Sequence, residues 1–378
     1  MNFELDTDQQ QLQASLRRLL DSEASFERRR AASATPAGFN AAVWRSMAEL
    51  GVVAMAMPEA HGGYGLPPVA LLPVLQELGR ALSLEPYLAT AVLGATAVAT
   101  AGSAAQKDLL LNEAASATRL LAFAHEERAA RHARLWVECS AREVDGGWVL
   151  HGAKHNVLHG AAADTLVVSA RVSGRPDAAE GVALFLVRPG DAGVTCEPVR
   201  LVDDTPAAEF RFNGAKAELL GDVAAGAAAI LATVQAGMAA TCAEALGVAE
   251  RAYAMTVEYV QTRQQFGRAI GSNQSLRHRV AEMCVALEGV RSAAMIGLLA
   301  LDMEDAAERA LELSRAKMLV SRHATFIARE AIQLHGGMGM TLELAVGHCL
   351  RRITVLDQLF GDGPTHAARL GAELALES

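Results

Sequence analysis

Three short stretches carry residue types that could do chemistry. In "TRQQFGRAIGSNQ", residues 262–274, a helix would end around Arg263 and Phe266, a glycine turn would follow, and a new helix would open near Ser272 and Gln274. That arrangement presents a guanidinium, an aromatic face, a helix N-terminus and an amide around one spot, a set that suits a pyrophosphate with an attached nucleoside. A surface arginine, a core phenylalanine and an ordinary turn would read the same way. In "AIQLHGGMGM", residues 331–340, Gly336, Gly337 and Gly339 follow a long helical pattern, with Gln333 one turn before them. Bare backbone there lets a ligand approach closely, and Gln333 with the freed N–H groups could hold a nucleotide; a helix C-cap reads the same. In "QLFGDGPTH", residues 358–366, Asp362 stands between two glycines with Pro364 behind. It is either a catalytic carboxylate presented by a loop or the hinge of a turn, because Gly-Asp-Gly-Pro is ordinary turn chemistry.

The elements that would position these groups fall into three textures. Residues 1–121 are helical in pattern. "TDQQQLQASLRRLLDS" sets Leu12, Leu16, Leu19 and Leu20 on one face with Thr7 as its cap, and "NAAVWRSMAELGVVAM" repeats the pattern around Trp44, Met47 and Leu50. "PEAHGGYGLPP" interrupts the helices with glycine and proline. Residues 122–222 alternate Val, Leu, Phe and Trp at period two between turns, which predicts a small antiparallel β domain. "LWVECSAREV" reads as one strand, and Asp145-Gly146 predicts a tight hairpin into "WVLHGAKHNV". Residues 223–378 return to long amphipathic helices at 225–262, 273–302, 305–336 and 341–357, which predicts a four-helix bundle. The expected fold class is α+β, not Rossmann: strands and helices do not alternate, and no GxGxxG follows a strand.

Composition narrows the function classes. The chain has 378 residues, 51% hydrophobic, with a formal net charge of −9 and no long basic run, so nucleic acid is not expected as a partner. Cys139, Cys196, Cys242, Cys284 and Cys349 lie more than 30 residues apart, without CxxC spacing. That favours neither zinc nor a disulfide framework and fits a reducing cytoplasm. No basic n-region or apolar h-region opens the chain, and the uncharged stretch 223–243 is mostly alanine, so it is expected as a buried helix rather than a membrane span.

Taken together, R-x-x-F-G-x-x-I-x-x-x-Q and Q-L-x-G-G-x-G, about 60 residues apart on a C-terminal bundle, resemble the acyl-CoA dehydrogenase family. "PEAHGGYG", "GWVLHGAKHNVLHGAAADTLVVSA" and "VALFLVRPGDAGV" look like its other motifs, so the resemblance covers essentially the whole chain. It implies FAD as cofactor, an acyl-CoA thioester as substrate and a 2-enoyl-CoA as product. It also implies a tetramer of like or paired chains, and an electron-transfer flavoprotein or similar acceptor. In the family one chain supplies the flavin-ring pocket and a glutamate base, while its neighbour supplies groups for the ADP end. Carried over, the ADP-end residues here are Arg263, Phe266, Gln274, Gln333, Gly336, Gly337 and Gly339.

The ring-end motifs depart. Glu126 stands where the family has a flavin-binding threonine, Arg131 and His132 replace Gly-Ser, and Asn156-Val157-Leu158 replaces W-x-T. Gly361 occupies the place of the family's glutamate, with Asp362 one residue later; the alternative glutamate site in a minority of the family is Gly237, followed by Met238. Glu244 and Glu282 are expected as ordinary helix carboxylates paired with Arg or Lys. This one-sided loss resembles the small subunit of a two-gene acyl-CoA dehydrogenase, most of all the pimeloyl-CoA type and otherwise the steroid-side-chain type, whose partner chain carries the base. The other readings are a homotetramer using Asp362 as base, a catalytically silent scaffold, and an oxygen-using relative. His125, Arg131, His132 and Arg134 are a candidate cluster for a polar or dicarboxylic acyl end.

Overall fold

The computed structural model describes residues 7–265 and 267–376. Among the described residues six α-helices precede the β domain, α1 (Thr7–Glu23), α2 (Phe26–Ser33), α3 (Ala41–Glu49), α4 (Leu72–Ala81), α5 (Ala95–Ala101) and α6 (Ala104–Ala115), with a π-helix, Tyr87–Gly94, leading into α5. Leu16 and Leu20 are buried on α1, as their spacing requires, and the cap expected at Thr7 adjoins residues outside those described. Asn40 caps α3, its side chain accepting from Ala42 N at 3.0 Å, and the predicted Trp44 and Met47 are buried.

Seven strands follow: β1 (Leu121–Ala124), β2 (Ser140–Val144), β3 (Gly147–Leu158), β4 (Thr165–Arg171), β5 (Val182–Val187), β6 (Val194–Arg200) and β7 (Pro206–Leu219). The sheet runs β1-β4-β2-β3-β7-β5, β4 and β5 pair in addition, and β6 lies against β7. The predicted hairpin is β2–β3, pairing Val144 with Gly147 across Asp145 and Gly146, both at positive φ. Two expectations fail here. β1 pairs with β4 in parallel, because the long connection between them carries β2 and β3 before the chain returns. The strand expected across 135–144 begins only at Ser140, because the carboxylate of Glu127 takes the N–H groups of Glu138 and Cys139 at 2.7 and 3.0 Å.

The chain then enters α7 (Gly226–Thr262) and a minimal hairpin, β8 (Gln264–Gln265) with β9 (Arg268–Ala269). Next come α8 (Gln274–Ala300), α9 (Ala306–His335), α10 (Ala345–Gln358) and a fifth helix, α11 (Gly363–Leu376), where only four were expected. α7 and α8 are long and apolar enough to cross a membrane by length and composition, and 56% of the most apolar α7 window is buried inside the protein, which places its face in the core.

Two compact units result. One takes α1, α4 and the chain from Met238 onward; the other takes Glu27–Pro67 and Leu84–Gly237. In the first, α4 and α7 meet backbone to backbone. A Cβ on Gly79 would lie 2.0 Å from Glu244 O, and one on Gly247 would lie 1.8 Å from Gln76 O. Each helix offers a glycine to the other's carbonyl, so the two axes approach as no other residue would permit. Gly247→Ala is expected to destabilise the protein by about 1–3 kcal/mol through overpacking. Gly371→Ala, on α11 where a Cβ would meet nothing within 4 Å, should stabilise by about 0.5–1 kcal/mol. Urea unfolding of the two variants checks the opposite signs.

Candidate functional site

The turn that carries Asp362 is built as a helix start. Asp362 Oδ1 accepts from Thr365 N at 2.8 Å, and its carbonyl accepts from His366 N at 3.1 Å. It is the N-cap of α11, with Gly363 and Pro364 as the first helical residues. Phe360 and Gly361 before it stand at φ 63° and 104°. His366, fully buried, donates its Nε2–H to Phe360 O at 3.2 Å, and a Cβ on Gly361 would lie 2.9 Å from that same nitrogen. The position matching the family's glutamate is therefore closed twice over: its backbone favours glycine, and an imidazole blocks its side-chain direction.

Bundle side chains brace the turn from behind. Lys317 of α9 is buried and donates to Leu356 O, in the last turn of α10, where carbonyls lack helical partners. Asp357 accepts from Ser321 Oγ and from Gly363 N. Burial lowers the Lys317 pKa against the pull of Cys242, Asp357 and Asp362, and Cys242, buried beside it, is pushed up to about 11. The cavity bounded by Thr241, Lys317, Ser321 and Asp357 measures about 10 Å³, the size of one water. Glu244 is buried and paired with Arg352 at 2.5 Å, Glu282 lies exposed beside Arg279, and Gly237 is buried within α7.

The residues matched to the ADP end gather at one end of the bundle. Arg263 and Gln333 are exposed, and Gln274 is the first residue of α8. Two ties bring the three together. Arg279, near the start of α8, grips Glu330, near the end of α9, through two nitrogens at 2.5 and 2.9 Å. Tyr259 of α7 stacks on His335 of α9 with ring centroids 4.3 Å apart. The N-cap Asn273 turns its amide back to Ile270 O and Arg268, so among the described residues no side chain caps the first N–H groups of α8. A groove of about 370 Å³, lined by Val257, Val260, Gln261 and Arg277 among others, opens beside this helix start. Phe266 lies outside the described residues.

These groups fit a dinucleotide phosphate end. Cβ atoms on Gly336 and Gly337 would meet nothing within 4 Å, and Gly337 does not have a positive φ. Nothing in this chain's own packing requires glycine at 337, so its bare backbone is available to an outside group. Gly339 differs: its Cβ would crowd Ile332 O at 2.8 Å, so close packing on α9 explains it. With the guanidinium of Arg263 and the open head of α8, the donor set suits FAD's pyrophosphate.

The ring-end positions do not fit the family's side-chain donors. Leu158 is buried and apolar, and Asn156, at φ 50°, directs its N–H to Glu209 at 3.3 Å. Burial raises the Glu126 carboxyl above its usual range, while His132 and Lys154 pull the other way. The proposed basic cluster does not form one surface. Arg131 is exposed, whereas His125 is buried and donates Nε2–H to Arg134 O at 3.0 Å.

A buried network fixes this segment instead, and the sequence reading passed over it. Lys154 Nζ donates to Glu127 Oε1 at 2.6 Å, Ser169 Oγ at 2.8 Å and His125 O at 3.1 Å, using all three of its protons. Ser169 Oγ in turn donates to His125 Nδ1 at 2.9 Å, which sets the tautomer of the ring. The available signal was a lysine at an inward register position of β3. Tyr259 and His335 were passed over as well; their signals were a tyrosine one turn before Arg263 and a histidine directly before Gly336.

Burial, reinforced by Lys154, depresses the His125 pKa from its ordinary 6.5 to about 3. As pH falls below 6.5 the unfolded chain takes up a proton that the folded chain refuses. Stability fully present above that pH is therefore lost progressively toward pH 3, by at most about 1.4 kcal/mol per unit. Between pH 7 and 5 the unfolding midpoint of the wild type should fall more steeply than that of His125→Leu; equal slopes would contradict the assignment.

Comparison with known proteins gives the same placement. The acyl-CoA dehydrogenase N-terminal, middle and C-terminal domain models match residues 6–118, 122–215 and 224–374. The acyl-CoA dehydrogenase FadE27 of Mycobacterium tuberculosis is 26% identical over 381 residues, covering 99% of each chain. Among solved structures, the ChsE4-ChsE5 complex from Mycobacterium tuberculosis superposes with a TM-score of 0.87 at 26% identity, over 99% of each chain. The Tcur3481-Tcur3483 steroid ACAD does so with a TM-score of 0.87 at 28% identity, over 98% of each. The chain belongs to the acyl-CoA dehydrogenase family, whose members use FAD to oxidise acyl-CoA thioesters.

Proposed function

We propose that this chain is one subunit of a two-chain acyl-CoA dehydrogenase, in which the partner chain supplies the flavin-ring pocket and the catalytic glutamate. The observation that carries this reading is the turn at Gly361-Asp362. The carboxylate there accepts the N–H of Thr365 as a helix cap, and the preceding residue is a glycine at φ 104°. A base must reach the substrate's α-carbon with little positional error, and a carboxylate committed to a helix start is poorly placed to do so. At the ADP end, by contrast, Arg263 and the bare backbone of Gly336 and Gly337 stay available beside the start of α8, which no side chain caps among the described residues. The two-chain names of the ChsE4-ChsE5 complex and the Tcur3481-Tcur3483 enzyme lend the reading further support.

In this reading the chain binds and orients rather than abstracts. Arg263 neutralises phosphate charge, the first N–H groups of α8 face the same charge, and Gly336 and Gly337 admit the nucleotide against bare backbone. The oxidising equivalent for desaturation is supplied by FAD when bound, and an electron-transfer flavoprotein or similar acceptor takes the electrons onward. The similarity to the Tcur3481-Tcur3483 steroid ACAD favours a steroid-derived acyl group. A pimeloyl-like dicarboxylic group is the second candidate, and turnover of the two thioesters by the assembly separates them.

Flavin stoichiometry tests the assignment. The chain purified alone should hold little flavin, and with its partner one flavin per two chains, bleached by acyl-CoA. One flavin per chain with bleaching, in this chain alone, would instead mean a homo-oligomer with Asp362 as base. Asp362→Asn should leave turnover of the assembly within a few-fold, since an amide oxygen still caps a helix; a thousand-fold loss would restore Asp362 as the base. Arg263→Ala should lower FAD retention by the assembly, and unchanged flavin content would remove Arg263 from the site.

A further inference from the structure

Two motifs far apart in sequence must meet at one spacing to hold one nucleotide. Arg263 leaves the end of α7, and Gly336 and Gly337 leave the end of α9. Between these helix ends lies the stack of Tyr259 on His335, centroids 4.3 Å apart with planes 25° from parallel. Both rings are tied to the residues at issue. Arg263 N donates to Tyr259 O at 2.8 Å, and Arg263 O accepts from Ile270 N at 2.9 Å, so the arginine's backbone is fixed by the turn that Tyr259 anchors. His335 is the last residue of α9, directly before Gly336, and is 4% exposed. Its Nδ1–H donates to Ala331 O at 2.7 Å, which locks the ring plane against the helix. Burial lowers its pKa.

We propose that Tyr259 and His335 are a positioning pair that sets the distance between the Arg263 guanidinium and the bare backbone of Gly336–Gly337, and hence the affinity of the chain for the ADP end of FAD. The Arg279–Glu330 pair ties α8 to α9, but among the described residues only this stack joins the ends of α7 and α9 through side-chain rings. A flat stack is suited to the task. It resists sliding of the helix ends along their axes while adding no charge near a phosphate site. Neither ring is required to touch the cofactor. The inference rests on the reading that Arg263 and Gly336–Gly337 bind FAD.

The test uses the assembled oxidoreductase and two readouts, the FAD dissociation constant and the thermal midpoint of the FAD-free protein. His335→Leu keeps volume and removes the aromatic face; FAD binding is expected to weaken about tenfold, the usual effect of losing a residue that orients a ligand-binding group. His335→Phe, which keeps the face, should restore binding to within about twofold of wild type. Tyr259→Leu should weaken binding alone but add little on top of Arg263→Ala, because it acts through that arginine. Wild-type FAD affinity in His335→Leu, together with a clear loss in Arg263→Ala, would overturn the positioning pair and leave the binding site standing. Wild-type affinity in Arg263→Ala as well would overturn the site itself. A loss in His335→Leu that Phe does not rescue, or that merely tracks a fall in the FAD-free midpoint, would also count against the proposal by making the ring a general packing residue.

Discussion

The N–H groups at the head of α11 need acceptors, and that requirement organises the end of the bundle. Asp362 meets it with both its side chain and its carbonyl. Once the aspartate is a cap, Phe360 and Gly361 must turn the chain through positive φ to bring α10 into α11. The turn then needs bracing, because two left-handed residues in a row are not held by local propensity. Lys317 on the α10 carboxyl end, Ser321 on Asp357 and His366 on Phe360 O supply it. The loop serves as a joint between two helices.

The β domain follows a similar logic around a different charge. Lys154 is wholly buried, and a buried ammonium is tolerable only if every proton finds an acceptor. Glu127, Ser169 and the His125 carbonyl provide three. Because Glu127 also takes two backbone N–H groups, the lysine's partner dictates where β2 begins. The segment that departs from the family's ring-end motif is thus held by its own polar network rather than left loose.

Sequence resolved the architecture well, for stated reasons. The period of the apolar residues gave α1, α7, α8, α9 and α10, and the Asp145-Gly146 turn chemistry gave the β2–β3 hairpin. What stayed hidden depended on contacts between distant residues. α11 was missed because its apolar spacing follows a Gly-Asp-Gly-Pro turn that reads as an ending, although the same aspartate is the cap of what comes next. The shortened β2 could not be foreseen without knowing that Glu127 reaches Glu138 and Cys139. At the candidate site the donor types were legible, but not the Tyr259–His335 and Arg279–Glu330 ties that draw three helix ends together.

The crowding of Gly361 by His366 bears on redesign as well as chemistry. A glutamate introduced at 361 by a single substitution would meet the imidazole at its Cβ and a backbone angle that suits glycine. Accommodating it would require the His366 ring to move and the backbone at 361 to leave its positive φ together. Moving the ring would also give up its hydrogen bond to Phe360 O, which braces the turn before α11. A single substitution to glutamate at 361 therefore would not by itself place a carboxylate in this turn; the packing around it would have to change at the same time.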